Sequence, residues 1–261
     1  NIINETEAES RLNTDTAEPE VKETEEKRIM RSKALRAVNP NSPDAQNIYR
    51  GIMRNYGYGD MVSKMDAIAK KLGSEVQFYA DNTKSEGYNE NNVIHLNVNN
   101  LRSTADGVWK VFKHELTHSL EGTNAYGELL RSKAGAELFN EFLKKGGYTV
   151  TDAEGNTTTS VEVLKNEIRK LYAKNNVELS AEQLNHECIA KFIEQSDILT
   201  SEESIQRLAE GSPNFALRIY NWIKDTIAKF GASPETKMLM EAERLYAKAL
   251  RQAAKGEYQY N

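Results

Sequence analysis

The chain has 261 residues, enough to bury a core as one large domain or two small ones. Hydrophobic residues make up 39% and charged residues 28%, the composition of a globular chain with a polar bias. Residues 1–27 hold nine acidic and three basic side chains out of totals of 39 and 34, which leaves a nearly neutral remainder of 30 acidic and 31 basic residues. This balance argues against a nucleic-acid partner, which requires a clustered basic surface.

The sequence carries few targeting signals. It contains no run of 18 apolar residues and does not open with a signal peptide, so we expect no membrane partner. Cys188 is the only cysteine, which excludes an intrachain disulfide and fits a reducing compartment such as the cytoplasm. The first residue is Asn1 rather than Met, so we expect a fragment or a processed form of a longer protein.

The N-terminal segment is predicted to lack a core of its own. Its first 27 residues are rich in Glu and Thr and contain few large apolar side chains, so burial cannot offset the entropy of ordering them. A basic stretch over 28–36, interpreted as a solvated helical arm, is followed by a breaker at Asn39–Pro43. We therefore predict an acidic, disordered tail or linker over 1–43 and one domain over 44–257.

Hydrophobic periodicity predicts a helix and two strands ahead of a central helix. In chain order these elements are a helix over 60–72 ended by Gly73, a strand over 76–80, a polar loop over 81–92, a strand over 93–98, and a helix over 104–121 stopped by Gly122. The second strand rests on the alternation of Ile94, Leu96 and Val98 with more polar neighbours.

The rest of the chain is predicted to be mainly helical. In chain order we predict a helix over 125–143, a β-hairpin over 146–161 with its turn at Glu154–Asn156, and helices over 162–174, 181–196, 201–210, 214–230 and 235–254. Ser180 and Gln183 form a capping box at the start of the 181–196 helix. The predicted fold class is α+β, helix-rich, with a small antiparallel or mixed sheet preceding the central helix.

The central helix contains the pattern His-Glu-x-x-His. His114 and His118 lie one turn apart on the same face, so both imidazoles can reach one metal ion about 2 Å from each nitrogen. Glu115 points beside that ion, where it can accept a proton from a water molecule. The apolar residues expected to cover the pair are Val108, Val111, Phe112, Leu116 and Leu120.

This helix, with the strand before it, resembles the zincin metallopeptidases, and more narrowly the compact zincin domains of large phage and mobile-element proteins. The resemblance covers about residues 60–125 well and the later helices loosely. It implies one Zn²⁺ ion, hydrolysis of peptide bonds with Glu115 as general base, and a peptide or protein substrate paired along an edge strand at 93–98. It also implies either a cytoplasmic protein or a part of a larger phage or mobile-element protein.

A catalytic zinc ion takes three protein ligands and keeps one open position. The segment 185–194 resembles the second metal helix of the gluzincins, in which a Glu ligand is followed three residues later by a small residue. Glu187 with Ala190 fits that pattern and is the predicted third ligand, with His186 and Glu194 as rivals.

One position departs from the gluzincin pattern. Many gluzincins carry an acidic residue four positions after the ligand, where it orients a metal-bound imidazole. This chain has Lys191 there, so the orienting group must come from elsewhere. That departure favours the alternative function, a catalytically inactive zincin-like module that binds proteins. The oligomeric state is not predicted.

Overall fold

A computed structural model of the chain describes residues 23–83, 86–90, 92–173 and 176–256. Residues 1–22, most of the predicted tail, lie outside the described residues. The chain divides into two compact units, the first ending at Gly107 and the second beginning at Val108. The single domain predicted over 44–257 therefore spans both units, and each is described by itself below.

The first unit combines helices with a small sheet. Its elements are α1 (Glu25–Arg36), α2 (Ala45–Asn55), α3 (Gly59–Leu72), β1 (Glu75–Tyr79), β2 (Gly87–Glu90), β3 (Val93–Asn97) and a 3-10 turn (Val98–Asn100). The core lies between the helices and one face of the sheet, where Met53, Met61, Phe78 and Ile94 are almost completely buried. Gly73 ends α3 with φ +91°, a left-handed conformation that glycine adopts without strain, as the sequence predicts.

The sheet has the order β1-β3-β2, with β1 parallel and β2 antiparallel to β3. It is the small mixed sheet that the sequence predicts. The prediction that 93–98 is an edge strand is wrong, because β3 is central and its backbone polar groups face strands on both sides. The alternation of apolar residues identifies β3 as a strand but does not locate it within the sheet. Its second partner, β2, has polar residues and is predicted as part of a loop.

The structure also differs from the predicted tail over residues 25–36. These residues form α1, in which Leu35 is fully buried and Arg31 is 2% exposed. Arg31 forms two hydrogen bonds to the Glu23 carboxylate, at 2.8 and 2.9 Å, and donates a third to the carbonyl oxygen of Val98 at 3.0 Å. A single guanidinium thus fastens the helix to the turn after β3, and this part of the predicted tail belongs to the core of the first unit.

The second unit is a helical assembly with one hairpin. Its elements are the greater part of α4 (Thr104–Ser119), followed by α5 (Ala125–Leu130), α6 (Lys133–Gly146), β4 (Thr149–Thr151), β5 (Thr157–Thr159), α7 (Val161–Ala173), α8 (Ala181–Gln195), α9 (Glu202–Gly211), α10 (Pro213–Phe230) and α11 (Lys237–Lys255). The predicted hairpin and the capping box of Ser180 and Gln183 are confirmed. The helix predicted over 125–143 is two helices, because Ser132 caps a new one by accepting a hydrogen bond from the Gly135 backbone N–H.

Helix α8 lies inside this assembly. It packs against α5, α6 and α7, and every residue from Cys188 to Glu194 is buried. Helices α9, α10 and α11 pack against one another. The protein is therefore helix-rich α+β, as predicted. Across the residues with described structure, no helix is both long and apolar enough to cross a membrane.

Candidate metal centre

The candidate site is built on helix α4. The residues predicted to cover the two histidines are all buried, with exposures of 4% or less: Val108, Val111, Phe112, Leu116 and Leu120. His114 lies on the same buried stripe and is itself 2% exposed. An imidazole in this position loses its contacts with water, so its two nitrogens must find partners or a ligand.

The outer nitrogens of the two histidines have no such partner among the residues that the structure describes. The Nε2 atoms of His114 and His118 are shielded from solvent and form no hydrogen bond with any described residue. Burial lowers the pKa of His114 to about 4, even though the nearby Glu194 carboxylate raises it. His114 is therefore neutral at pH 7, the form in which an imidazole ligates a metal.

The inner nitrogen of His114 faces a carboxylate on α8. His114 Nδ1 lies 3.4 Å from Oε1 of Glu194, and both side chains are 3% exposed. A carboxylate at Nδ1 favours the tautomer with its proton on that atom, which leaves the lone pair on Nε2. Glu194 therefore orients His114, and it does so from a helix that comes much later in the chain.

Two buried lysines hold Glu194 in place. Lys191 Nζ donates to Glu194 Oε2 at 3.1 Å, and Lys113 Nζ donates to the Glu194 backbone carbonyl at 2.5 Å. Burial alone raises the pKa of the Glu194 carboxyl, but the ammonium of Lys191 and the imidazole of His114 together lower it below its usual value. The pKa of Lys191 is raised because Glu194 outweighs the loss of hydration. Glu194 is therefore a carboxylate and Lys191 an ammonium.

The inner nitrogen of His118 also faces a carboxylate. Its Nδ1 lies 3.0 Å from Oε1 of Glu121, one turn further along the chain. The same Glu121 oxygen lies 3.6 Å from Nε2 of His186. Burial lowers the pKa of His186, although Glu121 raises it, so this ring is neutral at pH 7. Each histidine of the motif thus has a carboxylate at Nδ1 and a buried, unbonded Nε2.

Glu187, the predicted third ligand, contacts Tyr172. Its Oε1 accepts a hydrogen bond from the Tyr172 hydroxyl at 2.8 Å. Burial raises the pKa of Glu187 to about 7, although the Tyr172 hydrogen bond and the charge of Lys191 lower it. Both forms of this carboxyl are therefore populated near neutral pH.

The structure brings together part of the predicted site. His114, Glu115 and His118 share one helix turn, as expected. Within the described ranges, no group of three or more His, Cys, Asp or Glu side chains converges closely enough to hold a metal ion. Of the two rival ligands, His186 contacts Glu121 and Glu194 contacts His114.

Sequence reasoning missed the two carboxylates that orient the histidines. The sequence suggests Glu194 only as a rival ligand and gives no sign of a role for Glu121. A signal for Glu194 exists in the spacing of Glu187, Lys191 and Glu194, at i, i+4 and i+7, which places all three on one face of α8. The orienting acid lies seven residues after the predicted ligand rather than four, and Lys191 pairs with it instead of replacing it.

Three other polar candidates lie outside this arrangement. His95 is stacked on Tyr88 within the sheet of the first unit, with ring centroids 4.4 Å apart. Tyr126 packs edge-on against Phe139. Cys188 is fully buried, and burial raises the pKa of its thiol to about 12, so it behaves as a small core residue.

The arrangement offers chemistry that suits a borderline-soft cation. Two imidazoles with carboxylates behind them form the donor pair seen in zinc sites, and Glu115 adds a carboxylate beside them. Comparisons with family models, with curated proteins and with solved structures found no match to this chain.

Proposed function

We propose that the protein is a zincin-like, zinc-dependent peptidase in which His114 and His118 bind one Zn²⁺ ion and Glu115 is the general base. The observation that carries the proposal is the pair of buried Nε2 atoms, one helical turn apart, with no hydrogen-bond partner among the described residues. A buried polar atom left unsatisfied costs about 1–3 kcal/mol. Two of them on adjacent turns are best explained by a ligand that binds both.

The carboxylates behind the histidines support the same proposal. Metal-binding histidines usually donate the second N–H to a carboxylate, a carbonyl or water, which fixes the ring and its tautomer. Glu194 and Glu121 supply such groups at 3.4 and 3.0 Å. A histidine pair that served only to fill the core would not need a buried ion pair to hold one of its rings.

Glu187 is the proposed third ligand. Its carboxyl is part-buried on the helix that also supplies Glu194, and its pKa of about 7 makes its proton easy to displace by a cation near neutral pH. Only its Oε1 accepts the hydrogen bond from Tyr172, so the other carboxylate oxygen can bind the metal while that hydrogen bond is kept. Metal binding would then complete the three-ligand set that zinc enzymes use.

In the proposed reaction each residue has a distinct task. Zinc bound at this site supplies Lewis acidity, which polarises a peptide carbonyl and makes water acidic near neutral pH. Glu115 accepts the proton from the attacking water and then transfers it to the departing amine nitrogen. Glu194 and Glu121 keep the two rings fixed, and the apolar residues around α4 exclude bulk water.

The proposal is tested by metal analysis and by digestion of a peptide library. We expect one zinc ion per chain, loss of zinc in His114→Ala and His118→Ala, and loss of cleavage with zinc retained in Glu115→Gln. Glu141→Gln, which alters an exposed carboxylate on α6, is the matched control and should cleave normally. A Glu115→Gln protein that still cleaves would refute the role of that residue.

A second candidate is a catalytically inactive zincin-like module that binds other proteins. The observation in its favour is the Tyr172 hydrogen bond that occupies Oε1 of Glu187. Zinc retained without cleavage of any library peptide, by wild type and Glu115→Gln alike, would favour this candidate.

A further inference from the structure

A pocket of about 310 Å³ lies in the second unit, between the loop that follows α4 and one face of α8. The α8 residues that line it are Glu182, Asn185, His186 and Ile189. Their spacing of i, i+3, i+4 and i+7 places them on a single helix face. The opposite wall is formed by residues 122–126, which include the side chains of Thr123, Asn124 and Tyr126.

The lining of this pocket changes in polarity along its length. Ile189 is fully buried, Asn185 and His186 are half-buried, and Glu182 is exposed at the rim. The hydroxyl of Thr123 donates to a backbone carbonyl at 2.6 Å, so towards the pocket it can only accept. The lining contains one carboxylate, two amide side chains and no Lys or Arg, which favours a cationic guest.

One end of the pocket lies beside the candidate metal centre. His186, which lines it, is 3.6 Å from the Glu121 oxygen that contacts His118. Glu182 lies four residues before His186, a rise of about 6 Å along the helix. An extended lysine or arginine side chain spans that distance, with its stem on apolar surface and its charge at the exposed end.

We propose that this pocket binds a lysine or arginine side chain of the peptide substrate, with the aliphatic stem beside His186 and the cationic group at the Glu182 carboxylate. The inference deepens the proposed peptidase function and rests on it. It assigns a substrate class, peptides with a basic residue near the cleaved bond. The two asparagine side chains, Asn124 and Asn185, supply further acceptor oxygens for the bound cation.

The test uses zinc-loaded protein and peptides that carry lysine, norleucine or glutamate at one position at a time. At one position we expect wild type to show a kcat/KM ratio of lysine to norleucine of about threefold or more, the size expected for an ion pair at an exposed carboxylate. Glu182→Lys should abolish that preference. Glu210→Lys reverses an exposed charge on α9, outside the pocket lining, and should keep it.

The outcomes separate this inference from the peptidase proposal. Cleavage with no lysine preference at any position, or a preference that persists in Glu182→Lys, overturns the pocket assignment. If wild type cleaves no peptide, the peptidase proposal fails. The pocket assignment is then tested by measuring the binding of fluorescently labelled forms of the same peptides by fluorescence anisotropy. Lysine peptides that bind wild type about threefold more tightly than norleucine peptides, with the difference lost in Glu182→Lys, support the pocket assignment. Equal affinities overturn it.

Discussion

The buried pair of Glu194 and Lys191 gives the sharpest prediction, because it connects the stability of the second unit to the geometry of His114. Glu194→Gln keeps the shape of the side chain but removes the charge that lies 3.1 Å from Lys191 Nζ and 3.4 Å from His114 Nδ1. Both members of the ion pair are buried, with side-chain exposures of 9% and 3%. Removing one partner of a buried pair costs about 3–5 kcal/mol, because the other charge stays in a poorly hydrated place.

Two effects are expected, and a second substitution separates them. The free energy of unfolding of the metal-free protein should fall by about 3 kcal/mol in Glu194→Gln. Zinc affinity should fall by about 10–100-fold, the usual effect of removing a group that orients a metal-bound histidine. The double variant Glu194→Gln/Lys191→Met also removes the buried Lys191 ammonium that has lost the Glu194 carboxylate. Stability should therefore return towards wild type while zinc affinity stays low.

The measurements are urea unfolding with a chelator present and zinc titration in competition with a chelating dye. Glu141→Gln, which breaks an exposed ion pair with Arg207, is the matched control and should cost at most about 1 kcal/mol. Wild-type zinc affinity in the double variant would refute the orienting role of Glu194. A double variant no more stable than Glu194→Gln would refute the argument that the buried Lys191 charge causes the loss of stability in Glu194→Gln.

The pH dependence of the same pair has a definite sign. The pKa of Glu194 is lowered on folding by Lys191 and His114, against the effect of burial, so its contribution is present above the unfolded pKa of about 4.5 and is lost as pH falls. The pKa of Lys191 is raised, so its contribution is complete below the unfolded value of about 10.5 and is lost as pH rises through the folded value. Stability of the metal-free protein should therefore depend on pH less in the double variant than in wild type, at both the acidic and the alkaline extreme.

Three further predictions concern the third ligand and the folding of each unit. Glu187→Ala should lower zinc affinity by at least about tenfold and His186→Ala by much less, as measured by the same titration; the reverse order would make His186 the ligand. Glu23→Gln should destabilise the first unit by about 1.5–3 kcal/mol at pH 7 in urea unfolding, and because Arg31 lowers the pKa of Glu23 despite its burial, the loss should shrink as pH falls below about 4.5. Gly135→Ala should destabilise by more than about 3 kcal/mol, because its Cβ would lie 2.0 Å from a backbone carbonyl oxygen. Gly51→Ala, with nothing within 4 Å of the added carbon, should instead stabilise α2 by up to about 1 kcal/mol, and equal thermal melting points for the two variants would contradict this steric reasoning.

Several local features follow from sequence because neighbours along the chain determine them. The positions of His114, Glu115 and His118 on one turn follow from helical periodicity, and the burial of the residues around them follows from the apolar stripe. The capping box of α8 and the β4–β5 hairpin are decided by side chains a few residues apart.

Features that depend on a distant partner escaped the sequence analysis. β2 is a strand because β3 pairs with it, although its own residues are those of a polar loop. Helix α1 joins the core through Arg31, whose guanidinium reaches a carbonyl 67 residues away. Judged by charge and polarity alone, β2 and α1 are both predicted to lie outside the core. Local composition reveals neither a distant strand partner nor a buried ion pair.

By itself the sequence determined which helix carries the two imidazoles and the carboxylate between them, because the 3.6-residue period fixes their common face. The tertiary structure alone decided which groups stand behind the imidazoles. Lys113 and the Glu194 carbonyl that it contacts are 81 residues apart along the chain, and only the packing of α8 against α4 brings them to hydrogen-bonding distance. Contacts of that sequence separation depend on how whole helices pack, which no local pattern encodes.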